Sequence, residues 1–157
     1  KCSHCKLASQ TLHNFLKGSS DVKLIYKSFP LDGTCNSQVT QSGDGTRCKM
    51  ATWALCAEKL SKKGWAVHKY YFDNQEQLFS VSDLKETNTA LAQNLNLNFD
   101  EVEKCSESVD TYEIIKKMVE ESKVGQVEGT PVIFLNGKKL GHGQFSQVLK
   151  AAVDTIK

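Results

Sequence analysis

The chain has 157 residues, 39% hydrophobic and 24% charged, which suits one domain, or one core carrying an inserted subdomain. Its formal net charge is only +2 and no basic run is interleaved with aromatics, which argues against a nucleic-acid footprint. The longest apolar stretches are a few residues, far short of a membrane span, and repeats and low-complexity tracts are absent.

In chain order, the pattern predicts a helix from about Cys2 to Lys17, with Cys5, Ala8, Leu12, Phe15 and Leu16 on one face and Gly18 as a stop. Val22 to Phe29 reads as a short buried strand closed by Pro30. Leu31 to Arg47 is polar and rich in Gly, Ser, Thr and Asn. It reads as a loop, long enough to be either functional or cross-linked. A second helix is expected from about Cys48 to Lys63. Trp65 to Phe72 admits strand or helix, and helix is favoured. Further helices follow near Leu84–Leu95, Asp100–Glu107 and Val109–Lys123. Gly129-Thr130-Pro131 then leads into a strand, Val132–Leu135. Asn136-Gly137 is a two-residue hairpin signal, and Lys138–Leu140 is the returning strand. A final helix carries Phe145, Val148, Leu149, Ala152, Val153 and Ile156. The order predicts an α/β core, residues 1–47 and 126–157, interrupted by an all-helical insertion over 48–125.

Six cysteines are many for an intracellular enzyme of this length, and the even number permits complete pairing in an oxidising compartment. The competing reading is a cytosolic protein with free or metal-bound thiols, although the spacings do not look like two zinc half-sites. Cys2-Ser3-His4-Cys5 opens the first helix, where unpaired N–H groups and the helix dipole stabilise a thiolate. Cys5 lies one turn on, near enough to close a disulfide. Cys2 is therefore expected to be the nucleophile, Cys5 the resolving cysteine and His4 a donor to the Cys2 thiolate. An inert disulfide or half of a metal site competes with this. His13 and His68 read as ordinary helix positions, and His142 as a solvated loop histidine. Thr130 could offer its backbone to an extended substrate if Pro131 is cis, but on the residues alone a trans proline at a strand edge is the simpler reading.

For the other four cysteines, Cys35 and Cys48 bracket the polar loop, and a bridge there would remove much of the entropy of ordering it. That leaves Cys56 and Cys105 to pair within the helical block. Six cysteines allow 15 connectivities. Cys56 and Cys105 as free, buried packing residues is the alternative.

The C-x-H-C pair opening a helix, the late Gly-Thr-Pro-Val-Ile-Phe-Leu-Asn-Gly segment, the helical block between them and the stretch Gly64-Trp65 to Phe72-Asp73-Asn74-Gln75 together resemble the DsbA-like thiol oxidoreductases. The resemblance implies a thioredoxin fold with a helical insertion, a cis Pro131 beside Cys2 and Cys5, and no metal or organic cofactor. Phe29-Pro30-Leu31-Asp32 through Cys35-Asn36, followed by Cys48 and Cys56, is similar to domains associated with vitamin K epoxide reductase-type membrane partners, which implies a membrane redox-recycling partner. Ser3 stands where proline is common in the strongest oxidants, and Thr130 precedes Pro131 as in several isomerase-like and reductase-like relatives. Oxidase, reductase and isomerase thus stay open. The implied fold places a central strand before the C-x-x-C helix, and only Lys1 precedes it here. The expectation is that this strand is missing from the chain given and lies upstream in the native protein, with any signal peptide and any acidic group tuning Cys5.

The function expected is disulfide exchange, as a dithiol oxidase, with unfolded or partly folded exported protein thiols in the periplasm or another extracytoplasmic space. The alternatives are a thioredoxin-like module holding copper or zinc through Cys2, Cys5 and His4, with His142 as the one further candidate ligand, or a non-catalytic scaffold with structural disulfides.

Overall fold

A computed structural model describes residues 2–78 and 80–156. The elements are α1 (Ser3–Lys17), α2 (Thr46–Ser61), α3 (Gly64–Asp73), α4 (Gln75–Leu78), α5 (Lys85–Leu95), α6 (Phe99–Ser106), α7 (Val109–Val124), β1 (Ile133–Leu135), β2 (Lys138–Leu140) and α8 (Ser146–Thr155). Among the described residues the molecule is mostly helical, with one two-stranded antiparallel sheet. The strand expected at Val22–Phe29 does not form. A strand needs a ladder partner, and the described residues give this stretch none; Ile25 and Tyr26 are exposed rather than buried.

The chain divides into two compact units, residues 1–26 with 127–157, and residues 27–126. The first holds α1, the hairpin and α8. The α1 face that is buried carries Cys5, Ala8, Ser9 and Thr11, while Leu12, Phe15 and Leu16 are only half-buried. Leu149 and Val153 are the buried positions of α8. The Thr11 hydroxyl donates to the Gln144 carbonyl at 2.9 Å, tying α1 to the segment that enters α8. In the hairpin Ile133 pairs with Leu140, Phe134 with Lys139 and Leu135 with Lys138. Asn136 and Gly137 both have positive φ, 48° and 81°, the backbone that a two-residue turn of matching twist requires.

Among the described residues the second unit holds the loop 27–45 and the helices α2 to α7. Residues 27–47, read from the sequence as part of the α/β core, group here with the helices, and their bonds give the reason. The Gln38 side chain donates to the Val119 carbonyl at 3.0 Å and to Ser122 Oγ at 2.5 Å. Ser37 bonds Glu120, and the Ser28 N–H points at Met118 Sδ. All of these partners lie on α7. The core of this unit joins Trp53, Cys56 and Ala57 of α2 to Val67 and Tyr71 of α3, Leu91 and Ala92 of α5 and Val102 of α6. Trp53 donates its indole N–H to Glu103 at 2.9 Å, and Tyr71 its hydroxyl to Asn88 at 2.7 Å, so the polar ends of these two large side chains are buried with partners. Gly64 starts α3 where a Cβ would stand 2.7 Å from the Ala54 carbonyl oxygen, so the tight α2–α3 corner excludes a side chain. Asn98 and Ser108 cap α6 and α7 through the Glu101 and Thr111 N–H groups. No helix of the described residues is long and apolar enough to cross a membrane.

Candidate functional site

Cys2 is the N-cap of α1, with extended backbone, and its sulfur accepts the Cys5 N–H at 3.1 Å. A cap normally uses a side-chain oxygen; here sulfur takes that place, so one of the helix's orphan donors is aimed at it. The first turn of α1 contains no acidic residue to offset the positive end of the helix. Cys5 is buried, Cys2 is half-buried, and a disulfide joins them with a Cα–Cα distance of 5.2 Å. The helical spacing puts the two sulfurs on one side, and the burial difference leaves Cys2 the more accessible.

The turn before β1 reaches the same disulfide. Thr130 Oγ1 lies 3.2 Å from Cys5 Sγ and 3.9 Å from Cys2 Sγ, and the Thr130 carbonyl oxygen lies 3.7 Å from Cys2 Sγ. The Thr130–Pro131 peptide is cis. A disulfide sulfur carries no proton, so in the oxidised chain the Thr130 hydroxyl is the donor at Cys5. The site thus supplies one donor to each sulfur, a backbone N–H to Cys2 and a hydroxyl to Cys5. Donors placed in this way stabilise thiolates and lower the cost of opening the bond between them.

His4 is exposed and makes no hydrogen bond or ion pair among the described residues. His142 is exposed too, with φ of 59° and its ring 6.3 Å from that of Phe145. No group of three or more His, Cys, Asp or Glu residues among those described is placed to hold a metal ion.

The remaining cysteines form two disulfides in the second unit. Cys35 joins Cys48 with a Cα–Cα distance of 6.0 Å, closing the polar loop onto the first turn of α2. Cys56 joins Cys105 at 5.9 Å, linking α2 to α6. Cys48 and Cys56 are essentially inaccessible. Each of these bridges also has a threonine beside it: Thr34 Oγ1 is 3.1 Å from Cys48 Sγ, and Thr111 Oγ1 is 3.5 Å from Cys56 Sγ.

Sequence reasoning missed two groups. It gave Thr130 a backbone role and overlooked its hydroxyl, because nothing in the sequence says which way a side chain before a proline turns. It also passed over Asp32, a fully buried carboxylate in the loop. The Asp-x-Thr spacing of Asp32 and Thr34, a local side-chain-to-backbone turn signal, could have found it.

A helix-capping cysteine bonded to a second cysteine one turn on is the working unit of dithiol redox domains. The sequence model described as Thioredoxin matches residues 1–155, and the chain belongs to that family. No curated protein and no solved structure gave a match. Family and site together point to thiol redox chemistry.

Proposed function

We propose that this chain is a thiol–disulfide oxidoreductase of the DsbA-like kind, acting as a dithiol oxidase of exported proteins through Cys2 and Cys5. The observation that carries the reading is the pair of donors at the two sulfurs, Cys5 N–H on Cys2 and Thr130 O–H on Cys5. In the oxidising direction a substrate thiolate attacks Cys2 Sγ. The Cys2–Cys5 bond breaks, its electron pair leaves on Cys5 Sγ, and the Thr130 hydroxyl stabilises that thiolate. A second substrate thiolate attacks the substrate sulfur of the mixed disulfide and releases Cys2 as a thiolate, held by the Cys5 N–H and the end of α1. The substrate gains one disulfide and the enzyme is left as a dithiol.

Pro131 and the backbone of Thr130 would border the bound substrate, which suits an extended, partly folded polypeptide. His4, exposed on the first turn, adds a donor or a charge from the solvent side. Recycling of the dithiol falls to a membrane redox partner of the vitamin K epoxide reductase type. The fold proposed for the whole protein is a thioredoxin core with a helical insertion. Three disulfides and no free cysteine among the described residues support an extracytoplasmic location.

Two assays run side by side test the proposal. Oxidised chain added to reduced, unfolded ribonuclease should restore ribonuclease activity, with one substrate disulfide formed per enzyme disulfide consumed. Insulin precipitation by the same protein with dithiothreitol should be slower than by a reductase of the same fold. Failure to oxidise ribonuclease together with fast insulin reduction would replace oxidase by reductase. Failure in both would remove the enzymatic reading.

A further inference from the structure

The loop that Cys35 and Cys48 close carries a second closure. Asp32 Oδ1 accepts the Thr34 N–H at 3.0 Å, the Thr34 hydroxyl at 2.8 Å and the Gly43 N–H at 3.0 Å; its Oδ2 accepts the Gly45 N–H at 3.0 Å. A Cβ on Gly43 would stand 2.6 Å from Oδ2, so the chain can reach the carboxylate only with glycine there. Burial pushes the Asp32 carboxyl up, but the hydrogen bonds from Thr34, Gly43 and Gly45 outweigh it and hold the group below its ordinary value. Asp32 is therefore an anion at neutral pH, and an anion only accepts. The single hydroxyl proton of Thr34 is committed to it. The same Thr34 oxygen touches Cys48 Sγ at 3.1 Å. The sulfur thus faces oxygen lone pairs with a carboxylate behind them. This is the reverse of Cys5, where the threonine hydroxyl faces only the two sulfurs of the disulfide among the described residues.

We infer that Asp32 and Thr34 form an insulating pair that keeps the Cys35–Cys48 disulfide out of thiol exchange. For an external thiol to reduce this bridge, its thiolate must attack Cys35 Sγ. The Cys35–Cys48 bond then breaks, a mixed disulfide forms on Cys35, and the electron pair leaves on Cys48 Sγ. Exchange is slow when the leaving thiolate is poorly stabilised. Cys48 is 1% exposed, so water cannot solvate it, and burial also shields it from direct attack. Its nearby hydroxyl proton is held by Asp32. The other ionisable groups around the bridge do not reverse this. Asp44 in the same loop is acidic. Tyr112, packed from α7, has its phenol pushed up by burial and by Glu107 and stays neutral. Arg47 and Lys49 flank Cys48 on α2, and the bonds that hold the Asp32 carboxylate come from Thr34, Gly43 and Gly45.

The inference concerns a different bridge from the proposed redox pair, and one experiment reads both. The oxidised chain is incubated with excess reduced glutathione near neutral pH and trapped by acid and alkylation, and each disulfide is counted by peptide mass. In Asp32→Asn the charge is gone and the amide oxygen is a weaker acceptor, so the Thr34 proton turns more readily to Cys48 as it leaves, and Cys35–Cys48 should be reduced about 10-fold faster, the scale of one hydrogen bond to a charged group. In the double variant Asp32→Asn with Thr34→Val the hydroxyl is lost, and the rate should fall back towards that of the parent. Thr34→Val alone offers the sulfur no donor and should stay slow. Cys2–Cys5 should open at the same rate in every protein. If the pair merely fastens the loop, Thr34→Val accelerates reduction and the double variant is at least as fast as Asp32→Asn; either result overturns the inference. So does an Asp32→Asn rate equal to the parent's, provided that its circular dichroism is that of the folded parent. Should Asp32→Asn not fold, Thr34→Val decides alone, slow supporting the inference and fast overturning it. A failure confined to Cys35–Cys48 leaves the proposed function standing, whereas a Cys2–Cys5 bridge that glutathione does not open counts against that function alone.

Discussion

The Cys2–Cys5 and Cys35–Cys48 bridges use the same parts to opposite ends. Each has one cysteine at or near the start of a helix and a threonine hydroxyl within 3.2 Å of a sulfur. At Cys5 the hydroxyl proton is available to the sulfur. At Cys48 a buried carboxylate holds it. Cys2 is half-buried and capped by a backbone N–H, whereas Cys48 is inaccessible inside the first turn of α2. Sulfur at a helix start is thus not enough to make a reactive pair. The destination of neighbouring protons and the access of a partner decide it.

The largest contrast should come from removing the sulfurs themselves. Cys2→Ser should abolish oxidation of ribonuclease. Cys5→Ser, incubated instead with scrambled ribonuclease whose disulfides the Cys2 thiolate can attack, should be left trapped as a mixed disulfide, which gel mobility without reductant would detect. Ribonuclease oxidation surviving in Cys2→Ser would dissolve the distinction between the two bridges. Replacing Cys35 and Cys48 together by alanine should act on folding instead. The chain-entropy model for a bridge spanning 13 residues gives a loss of about 3 kcal/mol in urea unfolding, with Cys2–Cys5 exchange unchanged in the folded protein.

Thr130→Val is the next step down. It removes the donor at Cys5 while keeping shape, and the Cys2–Cys5 disulfide should become less oxidising by about 10-fold in its equilibrium with glutathione, or about 30 mV. Thr130→Ser should restore it. An equal loss in Ser and Val would mean that the methyl group's packing matters and the hydroxyl does not.

Asp32 gives the other bridge a pH signature. Its folded pKa is lowered, first raised by burial and then more than offset by the bonds from Thr34, Gly43 and Gly45. A depressed carboxylate contributes stability in full above its unfolded value of about 3.9, and that contribution is lost as pH falls through the folded value. Protection of the Gly43 and Gly45 amides, relative to their intrinsic exchange, should therefore fall below about pH 4, and this fall should be missing in Asp32→Asn. Protection unchanged down to about pH 2 in the parent would contradict the buried-anion account.

The smallest effect is expected at His4. It is exposed, so solvent screens its charge, and His4→Ala should raise the Cys2 thiol by well under about one pKa unit in a pH-dependent alkylation series.

These contrasts also show what the sequence could and could not say. The helices were legible because their apolar spacing and stops are local, as in the stretch from Val109 with Tyr112, Ile115, Met118 and Val119. The hairpin was legible because Asn136-Gly137 admits few other turns. The Cys2-x-x-Cys5 pair was legible from its place at a helix start. Val22–Phe29 was misread as a strand because a ladder depends on a partner that local pattern does not reveal. The allegiance of residues 27–47 was hidden for a similar reason: it is decided by side-chain bonds from Ser28, Ser37 and Gln38 to α7, about 80 to 90 residues away. The two threonine hydroxyls were illegible because a proton's direction depends on three-dimensional partners, Asp32 in one case and a disulfide across 125 residues in the other.

The central claim is that one disulfide of the three exchanges with substrate thiols, and its most direct test is time-resolved differential alkylation during oxidation of reduced ribonuclease. The account predicts that Cys2 and Cys5 become alkylatable in step with the loss of ribonuclease thiols, while Cys35, Cys48, Cys56 and Cys105 stay protected throughout. Thiols appearing at any of those four at the same rate, or ribonuclease oxidation with Cys2 and Cys5 still bridged, would contradict it.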